Sequence, residues 1–233
     1  MPVVVRRGVT VRKYFYIGVL VGTALVAALP SAASAATPVH VLTTGKAGGP
    51  AVAPKAILKA SVKARTSVVF ATSLGKLTCS KSTFTAKVVT NPAKGTAKKP
   101  AAATESITAE TFGGCTISVK GVAIKSQSVS NLPYNATQSD AKGNPVKISG
   151  RTKAKPLLLS ITVKFGTTTF TCSVKAASIS GTWTNKGNDT IFVKQKFTKA
   201  SGGALCPASG TFSATYGPVK DTSVKGSPAV FVN

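Results

Sequence analysis

The chain reads as an all-β protein, an antiparallel sandwich or barrel made of two related cysteine-framed halves. Three observations predict this. Apolar and polar residues alternate with period two, most cleanly in Leu159-Ser160-Ile161-Thr162-Val163-Lys164-Phe165, which puts Leu159, Ile161, Val163 and Phe165 on one inward face of a strand. In the second half such stretches recur about every ten residues, and connections this short join antiparallel neighbours, because parallel crossovers need a dozen residues or more. The third observation is a repeated frame. Leu77-Thr78-Cys79-Ser80 leads to Gly113-Gly114-Cys115, and Phe170-Thr171-Cys172-Ser173 leads to Gly202-Gly203-Ala204-Leu205-Cys206. Between the cysteines, Val89-Thr90-Asn91-Pro92-Ala93-Lys94-Gly95 answers Trp183-Thr184-Asn185-Lys186-Gly187.

Residues 1–35 read as a cleaved export signal. Arg6, Arg7, Arg12 and Lys13 precede an apolar run from Tyr14 to Leu29, followed by Pro30 and Ala33-Ser34-Ala35; the run is shorter than the roughly 20 residues a bilayer span needs, and small residues at the cut suit signal peptidase. No transmembrane segment is expected after cleavage. Beyond the signal, the sequence divides into an N-terminal segment (36–64), a first β unit (65–150), a second β unit (151–219) and a C-terminal tail (220–233). Four cysteines in an exported chain imply two disulfides, and of the three possible pairings the repeat favours Cys79 with Cys115 and Cys172 with Cys206.

In the N-terminal segment, Val39 to Thr43 carries a strand pattern and Ala56 to Val62 suits either a short helix or an edge strand; in the first unit, Thr66 to Thr72, Lys76 to Ser80 and Thr83 to Val88 carry strand patterns. Asn91 to Ala103 holds two prolines and Lys94, Lys98 and Lys99, and is expected to be an exposed loop. Ile107 to Phe112, Thr116 to Val119 and Val122 to Val129 resume as strands. Asn131-Leu132-Pro133-Tyr134 and Asp140-Ala141-Lys142-Gly143-Asn144-Pro145 are rich in turn residues. In the second unit, strands are expected over Leu159–Phe165, Thr168–Lys175, Ser178–Thr184, Thr190–Phe197 and Gly210–Tyr216, with Trp183 and Tyr216 as core aromatics. More than two-fifths of the chain should be strand, well above the ordinary share.

The composition excludes much chemistry. Besides one histidine, His40, there are five acids, Glu105, Glu110, Asp140, Asp189 and Asp221. His40 lies close to the new terminus, where chains fray, so a serine-type triad is not expected. Glu105 and Glu110 are five positions apart on a strand, a spacing that sends them to opposite faces and speaks against a carboxylate pair for glycoside chemistry. Neither Asp140 with Asn144 nor Asn188 with Asp189 follows a calcium-loop spacing, and no Cys-x-x-Cys pair supports a metal site. No cofactor, metal or catalytic residue is assigned, and the chain is expected not to be an enzyme.

Charge is the remaining feature. The sequence carries 30 cationic and five acidic side chains, for a net +25; signal removal takes away four of the cations and leaves about +21, nearly all of it lysine. Such a chain attracts anionic cell-wall polymers or extracellular DNA non-specifically, with Lys94, Lys98 and Lys99 as the first candidate contact.

Several short blocks add a resemblance. Gly48-Gly49 before Ala51-Val52, Cys79 with Phe84-Thr85-Ala86, Thr104-Glu105-Ser106-Ile107-Thr108 before Cys115, Leu132-Pro133-Tyr134, and Phe197-Thr198 before Cys206 together resemble uncharacterised actinobacterial secreted β-rich proteins with a four-cysteine pattern. The similarity covers roughly residues 36 to 219. It implies secretion and a disulfide-stapled β fold, and no activity; proteins of this kind are generally far less basic, so it does not account for the lysines. The expected role is that of a secreted, non-catalytic basic protein at or released from the cell envelope, binding acidic polymers. The alternatives are a carrier of a small apolar ligand between the sheets and an enzyme of unrecognised type. An apolar cavity marks the carrier, a contiguous lysine face marks the polyanion binder, and a cleft with converging polar groups marks the enzyme.

Overall fold

The structure, a computed structural model, describes residues 37–233; the predicted signal over 1–35 lies outside the described residues. The described part is 63% strand with no helix. The alternating stretches form β1 (Leu42–Thr44), β2 (Ile57–Ser61), β3 (Val68–Thr72), β4 (Gly75–Thr90), β5 (Ala102–Ile117), β6 (Val122–Ser130), β7 (Tyr134–Ser139) and β8 (Pro145–Ser149). The second half supplies β9 (Leu157–Phe165), β10 (Thr168–Ala176), β11 (Ser178–Thr184), β12 (Asp189–Ser201), β13 (Ser209–Tyr216), β14 (Lys220–Asp221) and β15 (Val230–Val232).

Eight of these close an antiparallel barrel in the order β11-β8-β7-β5-β4-β3-β13-β12, with β12 returning to β11. Closure removes the exposed edges that an open sheet would present. Because β8 pairs β11, the boundary expected between 150 and 151 is no break in the structure, and residues 37–233 form one compact unit.

Two strands are far longer than the sequence pattern implies. The stretches expected as Lys76–Ser80 and Thr83–Val88 run on as one strand, β4, and those around Ile107 and Thr116 as one strand, β5. Their length serves two partners each. On one side β4 pairs β3 through Gly75–Cys79 and β2 through Thr83–Lys87. The far half of β12 likewise leaves the barrel to pair β10, which continues through β9 to β6, and the side chain of Gln127 on β6 donates to the Phe112 carbonyl of β5 at 2.7 Å. This arm folds back over the far halves of β4 and β5, so the sheet encloses a second chamber beside the first.

The ambiguous segment at Ala56–Val62 is strand β2, sandwiched between β4 and β14. Tertiary pairing decides a choice that local propensity leaves open. Between the two turn-rich stretches, Tyr134–Ser139 pairs β5 and β8 as β7. Thr-, Gln- and Asn-rich, it lacks the apolar alternation that would announce a strand. The loop at 91–101 is exposed at Lys94, Lys98 and Lys99, as expected, while Asn91 at its start is buried.

Both disulfides form as the repeat predicts, Cys79 with Cys115 and Cys172 with Cys206, and no described cysteine is free. The first staples directly opposed residues of β4 and β5; the second ties β10 to the loop between β12 and β13. Disulfides imply folding in an oxidising compartment. No helix of the described residues is long and apolar enough to cross a membrane.

The core lies inside the barrel. Phe70 on β3 sits at its centre, with ring centroids 5.2 Å from Phe212, 5.6 Å from Phe112 and 6.1 Å from Phe197, within the range of favourable aromatic pairs. One end of the barrel is closed by the β1–β15 ribbon, whose Leu42, Val230 and Val232 are buried together with the adjoining Val41 and with Val52 and Val219.

Candidate functional site

The barrel does not fill its own interior. Side chains of Ile107, Ile148 and Phe192 from the barrel strands and of Leu157 and Leu159 from β9 of the arm line a cavity of about 90 Å³. Phe70, Val174 and Phe197 form the partition to a second apolar space of about 130 Å³, bounded by Leu77, Ile161, Val163 and Phe170 in the chamber under β6 and β9. An apolar cavity of this order can stay dry and receive a small hydrophobic molecule.

Polar groups enter the first cavity from one side. Glu110 on β5 and Tyr216 on β13 both border it; the Tyr216 hydroxyl donates to Glu110 Oε1 at 3.4 Å and lies 2.8 Å from Ser82 Oγ. Ser82 in turn donates to the Thr111 carbonyl at 2.7 Å. Tyr216 thus has a single proton to divide between two neighbours. Its ring packs edge-on against Phe84 with centroids 5.3 Å apart, which holds the hydroxyl at this position. Tyr134 also faces the cavity and is pinned from the other side, donating to the Ser130 carbonyl and accepting from the Leu158 amide at 3.0 Å.

Glu105 joins Glu110 in the interior, contrary to the spacing argument that places them on opposite faces. The cause is a β-bulge. Thr85 pairs Ala109 while Ala86 pairs Ile107, leaving Thr108 as an extra residue. One inserted residue shifts the alternation by one, so positions five apart end on the same face. Cross-strand partners agree: Glu105 stands opposite Val88 on β4 and Ala136 on β7, both buried, and Glu110 opposite Phe84. Both residues are half-buried and border internal spaces, Glu110 the cavity above and Glu105 one that it shares with Leu58, Trp183 and Val219.

Burial raises both carboxyls from an ordinary 4.5 to about 7. For Glu105 desolvation acts alone; for Glu110 the Tyr216 hydroxyl works in the opposite direction. Desolvation disfavours the charged form wherever no cation compensates it, and the one ion pair among the described residues joins Lys63 to Asp189 elsewhere. Burial also pushes Tyr134 up to about 12 and Tyr216 well above the ordinary phenol value. At neutral pH the lumen therefore presents hydroxyls and partly protonated carboxyls in an apolar shell.

The cavity opens through the wall at a seam. On one edge β12 pairs β11 through Asp189–Ile191 and β10 through Thr198–Ser201. Between them the chain turns from β10 to β11 at Ala177, a bulge at Val193–Lys194 bends β12, and only the Ser180 amide reaches across, donating to Gln195 Oε1 at 2.7 Å. Outside this gap lies a depression of about 330 Å³ lined by Lys153, Lys175 and Lys196, and Lys175, Ala176, Lys196 and Phe197 border both it and the cavity.

The residues singled out in the sequence lie away from this opening. Lys94, Lys98 and Lys99 project from the β4–β5 loop, which is folded by Asp140 accepting from the amides of Gly95 and Ala101. His40 is not frayed: it bridges to Ala93, and its Nδ1 lies 2.8 Å from the Asn91 carbonyl oxygen. Among the described residues no three of His, Cys, Asp and Glu converge as metal ligands. The luminal carboxyls escape sequence reading because a bulge leaves no mark in the alternation of a Thr- and Ala-rich strand. No family model, curated protein or solved structure matches this chain.

Proposed function

We propose that this is an exported carrier protein that holds a small, largely apolar molecule inside its barrel. The observation that carries this reading is an apolar cavity with a lateral opening, walled by strands of the closed eight-stranded barrel together with β6, β9 and β10 of the adjoining arm. Barrels of this strand number are wide enough to hold one small ligand, and sites of this kind combine apolar walls with a few fixed polar groups. Here those groups are the Tyr216 hydroxyl and the Glu110 carboxyl. The predicted signal and the disulfides support a place outside the cytoplasm.

The test is calorimetric titration of the protein with dodecanol, alongside an Ala176→Phe variant that narrows the opening. Saturable binding with a negative heat-capacity change, the mark of buried apolar surface, and its loss in the variant support the carrier. Absence of binding to the unaltered protein refutes it.

A second reading, adhesion to anionic polymers, is favoured by one observation. The segments Gly95-Thr96-Ala97-Lys98-Lys99-Pro100 and Gly150-Arg151-Thr152-Lys153-Ala154-Lys155-Pro156 make the same tight turn, with the Lys99 and Lys155 amides accepted by Thr96 and Thr152 at 3.0 Å. Each displays its cations at a tip.

A further inference from the structure

The lysines at the opening specify the ligand more closely, given the carrier reading above. Lys153 comes from the β8–β9 turn, Lys175 from β10 and Lys196 from β12, so three separate elements bring cations to one depression. The depression has no acidic residue in its lining. Nor is an acid available nearby, because all five in the chain are committed: Glu105 and Glu110 inside the barrel, Asp140 to the amides of Gly95 and Ala101, Asp189 to Lys63, and buried Asp221 to the Ser223 amide. The three ammonium groups at the opening have no counter-ion within the protein.

We propose that the ligand is a single-chain amphiphile with an anionic head, its alkyl chain in the lumen and its head among Lys153, Lys175 and Lys196. The orientation follows from what stands at each end of the path. Inward lie aliphatic and aromatic walls and the Glu110 carboxyl, which repels an anion whenever it is ionised. Outward lie three cations, partly hydrated and mobile, which attract one without demanding planar recognition. A chain of apolar groups running from a dry cavity to a lysine rim matches that gradient from end to end. The cavity of about 90 Å³ offers the room of roughly six to nine waters, enough for a medium alkyl chain.

The experiment compares four probes by calorimetry at low salt: dodecanoate, dodecyl phosphate, dodecanol and dodecyltrimethylammonium. Two variants accompany them, Lys153→Gln/Lys175→Gln/Lys196→Gln at the opening and Lys94→Gln/Lys98→Gln/Lys99→Gln on the remote loop. Dodecanoate or dodecyl phosphate should bind about tenfold or more tighter than dodecanol, as expected for several partly exposed charge contacts, and the ratio of the two anions tells a fatty acid from a lipid phosphate. The triple variant at the opening should lose this preference and keep dodecanol binding; the remote variant should keep both. All six lysines are exposed, so folding is not at stake. Equal binding of dodecanol and the anions, persistence of the preference in the opening variant, or tighter binding of the ammonium probe overturns the anionic head while leaving the carrier in place. If no probe binds, it is the carrier itself that fails.

Discussion

Asn91 and Asn185 hold the two strands of the closing ribbon in the same way. Asn91 Oδ1 accepts from the Leu42 amide at 2.9 Å and its Nδ2 donates to the Leu42 carbonyl at 2.8 Å. Asn185 does the same to Val232, at 3.0 and 2.7 Å, and Leu42 and Val232 are themselves cross-strand partners. Each amide satisfies the outward backbone N–H and C=O of one residue in a buried two-stranded ribbon. Asn91 also donates to the Val52 carbonyl, and Asn185 accepts from the Trp183 indole. These are the asparagines that align in the repeated turn of the sequence.

Either Asn91→Ala or Asn185→Ala should therefore destabilise strongly, by about 3 kcal/mol, because each strands several buried backbone groups without partners. Since both act on one ribbon, the double variant should cost clearly less than the sum. Urea melts of the two single variants and the double variant decide it; additive losses would show that the ribbon does not behave as a unit.

A second prediction concerns pH. Glu105 and Glu110 titrate near 7 in the folded protein against 4.5 as ordinary carboxyls. A raised acid stabilises the fold when protonated, so its contribution is complete below about 4.5 and is lost as pH rises through 7. At most this amounts to on the order of 3 kcal/mol for each group. The melting temperature should fall between pH 5 and pH 8. Glu105→Gln and Glu110→Gln should each flatten that fall and raise stability at pH 8. A melting temperature that rises over this interval would contradict the burial of the carboxyls.

The fold was largely legible because the Leu159–Phe165 alternation and the paired cysteine frames are local patterns with one structural meaning each. Closure was not legible: nothing in Thr182-Trp183-Thr184 says that it will pair with Asp189-Thr190-Ile191 to complete a ring rather than end a sandwich sheet. The site was hidden for two physical reasons. Thr108 bulges without a glycine or proline to mark it, which reversed the expected side of Glu110. Lys153, Lys175 and Lys196 are scattered along the sequence and meet only because β10, β12 and the β8–β9 turn converge at a seam. Lys94, Lys98 and Lys99, the group the sequence brought forward, are on a different loop.

The two disulfides should differ in what they protect, although their loops are of similar length, 36 and 34 residues apart, and a chain-entropy account assigns each about 4 kcal/mol. Cys79–Cys115 reinforces strands already joined by a ladder. Cys206 anchors the β12–β13 loop, whose Leu205 and Pro207 wall the second chamber. Replacing Cys172 and Cys206 by alanine should speed amide exchange across 202–208 in the native state. Replacing Cys79 and Cys115 should lower global stability and leave native-state exchange at the ladder slow. Equal local exchange in both variants would count against a loop held mainly by its disulfide.

The last prediction separates the lysine-rich turn at 94–99 from the opening. Lys94, Lys98 and Lys99 are exposed, and their loop is shaped from beneath by Asp140, so its conformation does not depend on the lysine side chains. With about +21 on the chain once the predicted signal is left out of the count, binding to a phosphate polymer should be weak per site and steeply salt-dependent. Six neutralised phosphates correspond to roughly a thousandfold loss between 50 and 200 mM salt. Lys94→Gln/Lys98→Gln/Lys99→Gln should reduce the slope of log affinity against log salt by about 2 to 3, since each lost phosphate contact removes nearly one unit. The melting temperature should stay almost unchanged, because exposed substitutions away from the packed core cost little. Measured on teichoic acid and on duplex DNA, the slope should respond alike, as point charges read neither sugar nor sequence. An unaltered slope in the triple variant assigns polymer attraction to lysines spread over the rest of the surface, and failure to bind either polymer at 50 mM salt leaves the charge as a solubility feature.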